Sequence, residues 1–294
     1  MARQTRWLEL AAVAVGAAVS WRVLQARRER RLLLEQGDIR ELESAWAEVD
    51  DCRIHGRVSA AAAEEGVPPV VLIHGWGVAG TYFLPTAERL AAAFAVYLPD
   101  LPGHGRSDTP PEPLDIAGLA RALLGWMKAV GIKRASLVGH SMGCQIAVEA
   151  ALQEPSLVDR LVLIGPTPDP AARSAPHQFR RFLLGGLHER LSLSLHLALD
   201  YGRMGGRLAP EFGFMLADRI EDKLPKVQIP TLLVRGEKDT MVPQRWLEEA
   251  AHLLPTAEVA VIPGWGHAVQ YSAPKALVQA IHPFLRRAGR ETGS

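Results

Sequence analysis

A serine lies at the centre of the segment Gly139-His140-Ser141-Met142-Gly143, between an apolar run and an alanine-rich, helix-like run. A strand that turns directly into a helix crowds its own backbone, and small residues two positions before and after the serine relieve that clash. The hydroxyl then lies at a helix N-terminus, where backbone N–H groups and the helix dipole favour developing negative charge. This pattern predicts a nucleophilic serine.

A serine hydroxyl is a poor nucleophile near neutral pH unless a histidine accepts its proton and an acidic side chain orients that histidine. Asp239 ends the segment PTLLVRGEKD, and His267 lies in VIPGWGHAVQ, each just beyond a predicted strand. The order serine, aspartate, histidine is the one expected for this type of serine turn. We therefore predict the catalytic residues Ser141, Asp239 and His267, with Asp169 as the alternative acid.

Attack on an acyl carbon produces an oxyanion, which needs two preorganised N–H donors. The residue after the nucleophile, Met142, supplies one of them, and the loop that follows His74 and Gly75 is placed to supply the other. The serine and the histidine together provide nucleophile and proton transfer. The predicted chemistry therefore requires no metal and no organic cofactor.

The segments around these residues alternate between strands and helices, which predicts parallel strands joined by right-handed crossovers. Two further short strands are expected on either side of Asp50 and Asp51. The sequence thus predicts a doubly wound, mostly parallel, eight-stranded α/β sheet. The remaining strands are expected in VVLIHGWG, FAVYLPD, ASLVGH, RLVLIG, PTLLVRGEKD and AEVAVIPG, and the helices at 80–92, 116–130, 142–153, 243–253 and 274–287.

The alternation stops between about residues 166 and 226, where prolines and leucine-rich segments replace it. The segment LSLSLHLAL at 191–199 alternates like a strand, but its leucines also fall at helix spacing, and we predict a helix. We expect a helical cap at 166–226, inserted into an α/β core at 45–165 and 227–288. An N-terminal helical arm at 1–44 precedes the core, and a flexible tail at 289–294 follows it.

Composition excludes several classes of function. The 294 residues are 48% hydrophobic and carry 33 basic and 32 acidic side chains, a net charge of +1. No overall field therefore attracts nucleic acid. The two cysteines, Cys52 and Cys144, lack the spacing of a zinc site or a disulfide framework.

The segment from Trp7 to Leu24 is almost wholly apolar. Eighteen residues of helix rise about 27 Å, close to the roughly 30 Å of a bilayer core. Basic residues at 27, 28, 30 and 31 favour a signal anchor with the catalytic domain in the cytoplasm. One alternative is a cleaved signal peptide. Another is an amphipathic helix that lies on the membrane surface or on the protein itself, and in the latter case the protein would be soluble and cytoplasmic.

Five motifs carry a resemblance to a known family: HGWG at 74–77, DLPGHGRSD at 100–108, GHSMG at 139–143, GEKDTMVP at 236–243 and GWGHAV at 264–269. With them the chain from about residue 46 to 288 resembles the α/β-hydrolase fold superfamily, in particular serine hydrolases of the esterase and lipase type with an inserted cap.

The resemblance has consequences for individual residues. It implies that the N–H of Trp76 is the second oxyanion donor. It also implies that His74, His104 and Asp108 hold loops and take no part in catalysis. Relatives that have a second glycine after this turn have it at the position of Cys144. Because Cys144 lies three residues past Ser141 on the predicted helix, we expect it to be a buried small side chain and not a reactive thiol.

The cap is rich in apolar residues, which favours a hydrophobic acyl or alcohol group in the substrate. We expect a serine esterase or lipase acting on acylglycerol-like or other lipophilic esters through an acyl-enzyme, similar to membrane-anchored monoacylglycerol lipases. One alternative is a hydrolase of carbon–carbon bonds in ring-fission products, and another is a non-catalytic ligand-binding protein. The cap residues in question, which equally suit packing against the body, are Leu183, Leu184, Leu187, Leu191, Leu195 and the segment 212–214.

Overall fold

The computed structural model describes residues 40–59 and 66–287, together with the isolated positions Arg28 and Arg31. The predicted apolar segment at 7–24 and the predicted tail at 289–294 lie outside the described residues. Within the described part of the chain, none of the helices combines the length and the apolar character that crossing a bilayer demands.

Strands and helices alternate along most of the described chain, as the sequence predicts. The strands are Leu42–Val49 (β1), Cys52–Ser59 (β2), Val70–Ile73 (β3), Val96–Pro99 (β4), Ala135–His140 (β5), Val158–Ile164 (β6), Thr231–Gly236 (β7) and Ala257–Ile262 (β8). The helices are Leu84–Leu90 (α1), Ile116–Ala129 (α2), Met142–Gln153 (α3), Ala175–Gly185 (α4), Leu191–Met204 (α5), Leu208–Ala217 (α6), Ile220–Lys223 (α7), Gln244–Leu253 (α8), Val269–Ser272 (α9) and Pro274–Leu285 (α10).

The eight described strands form one sheet in the order β1-β2-β4-β3-β5-β6-β7-β8. Strand β2 pairs antiparallel with β1 and β4, and the other neighbouring pairs are parallel. This confirms the predicted doubly wound, mostly parallel α/β sheet. Because β3, β5, β6, β7 and β8 run in the same direction, the loops that follow them meet at one edge of the sheet.

The first two strands form a hairpin. Asp50 and Asp51 connect them with positive φ angles of 47° and 61°, as a tight two-residue turn between twisted strands requires. The hairpin confirms the two strands predicted around this pair. Strand β1 begins at Leu42, three residues before the predicted start of the core.

The central strands are buried on both faces. In β3, Val71 and Ile73 contribute to a cluster with side chains from α2, α3 and α8, while Val70 and Leu72 contribute to a second cluster with side chains from α1, α9 and α10. Fully burying such a side chain stabilises the fold by about 1.5–3 kcal/mol. These two layers hold the sheet rigidly beneath the loops at its carboxyl edge.

Between β6 and β7 the chain forms the helices α4 to α7, where the sequence predicts a helical cap. The ambiguous segment 191–199 is helical, as predicted, and is part of α5. Leu193 is buried, whereas Leu195 and Leu199 are 62% and 58% exposed, so successive leucines do not share one strand face.

Candidate active site

Ser141 is the turn between β5 and α3, and its backbone is strained, with φ of 55° and ψ of −121°. Gly139 and Gly143, two positions before and after the serine, have no room for a side chain. A Cβ on Gly139 would lie 2.3 Å from the carbonyl oxygen of Gly143, and a Cβ on Gly143 would lie 2.3 Å from that of Ile73. Such a strained turn at the edge of a sheet is typical of a nucleophile that must be held in one position.

Asp239 and His267 are in direct contact. Oδ2 of Asp239 lies 2.8 Å from Nδ1 of His267, and its Oδ1 accepts the N–H groups of Met241 and Val242 at 2.8 and 3.0 Å. Asp239 as a whole is only 3% exposed. Three hydrogen bonds therefore fix the carboxylate, which in turn fixes the orientation of the imidazole ring.

The electrostatic surroundings of His267 favour its protonated form. Burial on its own would lower the pKa of His267, but the charge of Asp239, the hydrogen bond to it and the charge of Glu189 together raise the pKa above its ordinary value. A histidine with a raised pKa and a carboxylate partner is a proton acceptor of the kind that serine activation requires.

Ser141 and His267 line the same cavity, but in this structure they are not hydrogen-bonded to each other. The Ser141 hydroxyl lies 3.2 Å from Oγ1 of Thr167, a fully buried residue in the loop after β6. Nε2 of His267 has no hydrogen-bond partner among the described residues. Thr167 was not predicted from the sequence, because a single threonine in a proline-rich loop belongs to no motif and no periodic pattern.

The loop after β3 lies beside the serine. A Cβ on Gly75 would lie 3.3 Å from Cβ of Ser141, and Trp76 follows at once. The indole of Trp76 donates to the carbonyl of Leu208 in α6 at 3.0 Å, which ties this loop to the cap. Among the described residues no hydrogen bond uses the backbone N–H of Trp76. Met142 is the first residue of α3, so its N–H has no acceptor within the helix.

A chain of hydrogen bonds joins these loops. The N–H of Gly75 donates to the Tyr82 hydroxyl at 3.0 Å, and the hydroxyl lies 2.6 Å from Nδ1 of His140. Nε2 of His140 lies 3.1 Å from the carbonyl oxygen of His267. Since that carbonyl can only accept, Nε2 of His140 carries the proton, and Tyr82 donates to Nδ1.

His140 is therefore a neutral histidine that links Tyr82 to the backbone of His267. Burial and the neighbouring His267 hold the pKa of His140 well below its ordinary value, which agrees with the single proton that the hydrogen bonds require. Neither Tyr82 nor this use of His140 was identified from the sequence. The motif specifies the two glycines and the serine, but the residue between Gly139 and Ser141 can vary.

The residues assigned to loop structure make structural contacts. His74 is buried, which together with His104 lowers its pKa to about 3, and the neutral ring accepts the N–H of Leu101 at 2.9 Å. Asp108 binds Arg53 through backbone and side-chain hydrogen bonds of 3.1 Å. His104 lies 3.2 Å from Glu211 of the cap helix α6. These contacts agree with the predicted role in holding loops.

Asp169, the alternative acid, faces a different set of partners. Its buried carboxylate lies 2.8 Å from Arg245 and 2.9 Å from Arg181. Burial on its own would raise the pKa of Asp169, but the two arginines and a backbone N–H lower it. Asp169 thus joins the cap helix α4 to α8, and it is Asp239 that contacts His267.

Cys144 is fully buried, as predicted. Its thiol points to the carbonyl oxygens of Gly139 and Ile164, and burial raises its pKa well above the ordinary value. Within the described residues, no group of three or more His, Cys, Asp or Glu side chains is placed to hold a metal ion.

A cavity of about 950 Å³ opens over Ser141 and His267, between the sheet edge and the cap. Of the predicted cap residues, Leu183 and Phe212 line it, whereas Leu184 and Leu195 do not, and the side chains of Leu187 and Leu191 lie outside the described part. Its walls are mainly apolar. The lining residues that sequence analysis missed include Val78, Phe179, Phe182, Leu193, Leu197, Tyr201, Leu208, Met215 and Met241.

Comparison with known proteins agrees with this architecture. The model of the alpha/beta hydrolase family matches residues 70–280. A pimeloyl-[acyl-carrier protein] methyl ester esterase of Xanthomonas campestris pv. campestris is 31% identical over 246 residues, which cover 74% of this chain and 95% of that protein.

Solved structures show the same fold. A membrane phospholipase A, described as a bacterial virulence factor, superposes with a TM-score of 0.71 at 25% identity, covering 97% of this chain and 98% of that one. An N-acyl homoserine lactone degrading enzyme superposes with a TM-score of 0.68 at 24% identity, covering 82% of this chain and all of the other. With the family model matching most of its length and an esterase among its relatives, the chain belongs to the alpha/beta hydrolase family and is a hydrolase.

Proposed function

We propose that the protein is a serine hydrolase that cleaves carboxylic esters with a long apolar group, through an acyl-enzyme formed on Ser141. The observation that carries this proposal is the placement of the Asp239–His267 pair and the strained serine around one apolar cavity. The esterase among the relatives supports the same class of reaction.

The first half of the reaction acylates the serine. Ser141 changes its χ1 rotamer, leaves Thr167 and places its hydroxyl at Nε2 of His267, a contact that often forms only when substrate is bound. Oγ then attacks the ester carbon while Nε2 takes the hydroxyl proton. The carbonyl π electrons move to the oxygen, and the N–H groups of Met142 and Trp76 bind the resulting oxyanion.

The tetrahedral intermediate then collapses. The carbon–oxygen bond to the alcohol breaks, and the imidazolium of His267 gives its proton to the departing oxygen. Asp239 stabilises the imidazolium throughout and does not itself take the proton. His267 then takes a proton from a water molecule, whose oxygen attacks the acyl carbon. The bond between that carbon and Oγ of Ser141 breaks, and the imidazolium returns its proton to Oγ, which releases the acid and restores Ser141.

The cavity supports an apolar substrate. Aromatic and aliphatic side chains from α4, α5 and α6 form most of its wall, and its volume of about 950 Å³ exceeds that of a short ester. At its mouth Phe179 and Leu183 are 62% and 57% exposed. A long acyl or alcohol chain would cover these surfaces, which favours acylglycerol-like or other lipophilic esters.

We propose that the segment 7–24 anchors the protein in a membrane, with the catalytic domain on the cytoplasmic side and the cap at 166–226 above its active site. Support comes from the apolar sequence and the adjacent basic cluster. The likeness to a membrane phospholipase A, which extends over 97% of the chain, also supports it. Proximity to a membrane would give the cavity access to lipophilic esters.

The function is tested by steady-state hydrolysis of p-nitrophenyl esters of increasing acyl length. We expect kcat/KM to rise from acetate to medium and long chains, and Ser141→Ala to lower kcat by at least about 10³-fold. Ser156→Ala, an exposed serine just after α3, is the matched control and should retain full activity. Undiminished turnover by Ser141→Ala would eliminate the proposed mechanism.

The anchor is tested by deleting residues 1–39, a boundary that leaves β1 intact because this strand begins at Leu42. The shortened chain should leave the membrane fraction and keep the kcat of the full chain on a water-soluble ester. Recovery of the full chain in the soluble fraction at low salt would contradict the anchor without affecting the proposed chemistry.

A further inference from the structure

Glu189 of the cap contacts the loop that carries His267. The residue lies just before α5, and its two carboxylate oxygens have different partners. Oε1 accepts the backbone N–H of Ala268 at 2.8 Å, and Oε2 accepts the hydroxyl of Ser272 at 2.6 Å. Ser272 is fully buried and Ala268 nearly so, so these hydrogen bonds are largely shielded from water.

The contact surrounds His267 in sequence as well as in space. Ala268 follows the histidine directly, and Gly266 precedes it. A Cβ at position 266 would lie 2.6 Å from Oε1 of Glu189, so the close approach depends on a glycine there. The next cap residue, Arg190, holds its guanidinium 5.5 Å from the ring centroid of Trp265. The cap therefore contacts the loop that carries His267 both before and after the histidine.

Charge adds to this geometry. The ionisable groups that face His267 are Asp239 from the loop after β7, His140 at the end of β5 and Glu189 from the cap. His140 is neutral. After burial and Asp239, the negative charge of Glu189 is the remaining influence on the pKa of His267, and it acts in the direction of a higher pKa.

We propose that Glu189 is a positioning residue, which fixes the His267 loop against the cap and holds a second negative charge near the imidazole. It touches neither the reacting atoms nor Ser141, and it acts only through His267. This role rests on the proposed function, in which His267 moves the proton. This role could not be predicted from the sequence, because one glutamate between a glycine-rich turn and a helix has no distinguishing pattern.

Two variants separate position from charge. Glu189→Gln keeps a carbonyl oxygen for the N–H of Ala268 and an amide for Ser272, but it removes the charge. Glu189→Ala removes both contacts. The matched control is Glu221→Gln, another cap glutamate, which pairs with Arg173 at 2.5 Å and does not contact the His267 loop. Thermal unfolding of each variant measures any general loss of stability.

For Glu189→Ala we expect kcat on a p-nitrophenyl ester to fall about tenfold or more with a small change in KM, because a shifted histidine lengthens the proton transfer. Glu189→Gln should recover most of kcat, while the acidic limb of its kcat/KM profile moves to lower pH. Glu221→Gln should match the wild type in both respects. A purely structural role would lower Tm and kcat together in both Glu189 variants and leave the acidic limb in place.

The deciding measurement does not depend on turnover. NMR titration of the His267 ring, assigned with His267→Gln, gives its pKa in the wild type and in Glu189→Gln. A lower pKa in Glu189→Gln, with no change in Glu221→Gln, is the expected result. An unchanged pKa, or wild-type kcat in Glu189→Ala, would overturn the role of Glu189. Loss of the proposed function would instead appear as wild-type activity that is indifferent to Ser141→Ala.

Discussion

Tyr82→Phe removes one hydroxyl and breaks the hydrogen-bond chain that runs from Gly75 through Tyr82 and His140 to the His267 carbonyl. The ring itself is 2% exposed and can remain in place. Without the hydroxyl, the N–H of Gly75 loses the acceptor at 3.0 Å and Nδ1 of His140 loses the donor at 2.6 Å. The substitution therefore leaves two buried polar groups without partners.

The expected cost follows from this count. Leaving one buried donor or acceptor unsatisfied costs about 1–3 kcal/mol, so two of them lower the free energy of unfolding by about 2–6 kcal/mol. Gly75 directly precedes Trp76, the proposed oxyanion donor, and His140 holds the main chain of His267, so kcat should also fall. A lost oxyanion donor alone costs on the order of 10²–10³-fold, and a displaced one should cost less.

Urea unfolding followed by circular dichroism measures the stability, and ester hydrolysis measures kcat. Tyr97→Phe is the matched control, because the Tyr97 ring packs against Trp126 and its hydroxyl has no hydrogen bond among the described residues. It should change the free energy of unfolding by less than about 0.5 kcal/mol. If Tyr82→Phe is as stable and as active as Tyr97→Phe, the proposed connection between the loops is refuted.

Three further predictions concern the site directly. In the proposed mechanism neutral His267 is the base, and its pKa is raised, so kcat/KM should decline as the pH falls through a value above about 6.5, the ordinary histidine pKa; an acidic limb well below that value would contradict the proposed role of Asp239. Asp239→Asn should lower kcat about 10⁴-fold at the pH optimum. A crystal structure of the variant is the control, and it should retain the hydrogen bonds to the backbone N–H groups of Met241 and Val242. A loss of less than tenfold would be incompatible with the mechanism. Thr167→Val should raise the rate of fluorophosphonate labelling about fivefold, because the Ser141 hydroxyl loses a competing hydrogen bond worth about 1 kcal/mol; a slower rate would mean that Thr167 assists the serine.

The sheet and the serine turn could be predicted because their constraints are local. The segment ASLVGH is mostly apolar, is buried along its whole length and forms β5 with the predicted bounds, Ala135–His140. The helix predicted at 142–153 is α3, Met142–Gln153. The backbones around the serine turn lie too close together for any side chain at positions 139 and 143, so both positions require glycine. This requirement is visible in the sequence as a short motif.

The wall of the cavity could not be predicted in the same way. Its residues come from the three cap helices α4, α5 and α6, from the segment between α4 and α5, and from the core segments that follow β3, β5, β7 and β8. Packing between the cap helices decides which face of each one turns inward. Leu195 and Leu193 illustrate this, since both belong to the same leucine-rich segment, yet Leu193 lines the cavity and Leu195 is exposed to solvent.

Single partners of the reacting groups were also missed. Thr167 contacts Ser141 itself, whereas Tyr82 and Glu189 contact the backbone or side chains of the loops around the site. Their contacts with Ser141, His140 and Ser272 join positions 26, 58 and 83 residues apart. A hydrogen bond of this kind leaves no periodicity and no motif. Only the folded arrangement brings such groups together.

Mass spectrometry after reaction with a fluorophosphonate identifies the nucleophile, since this reagent bonds covalently only to an activated nucleophile. We expect one adduct, on the peptide that contains Ser141, which forms rapidly in the wild type and more slowly in His267→Ala by about 10³-fold or more. An adduct on a different residue, or a fully active enzyme that resists the reagent, would contradict the proposed role of Ser141.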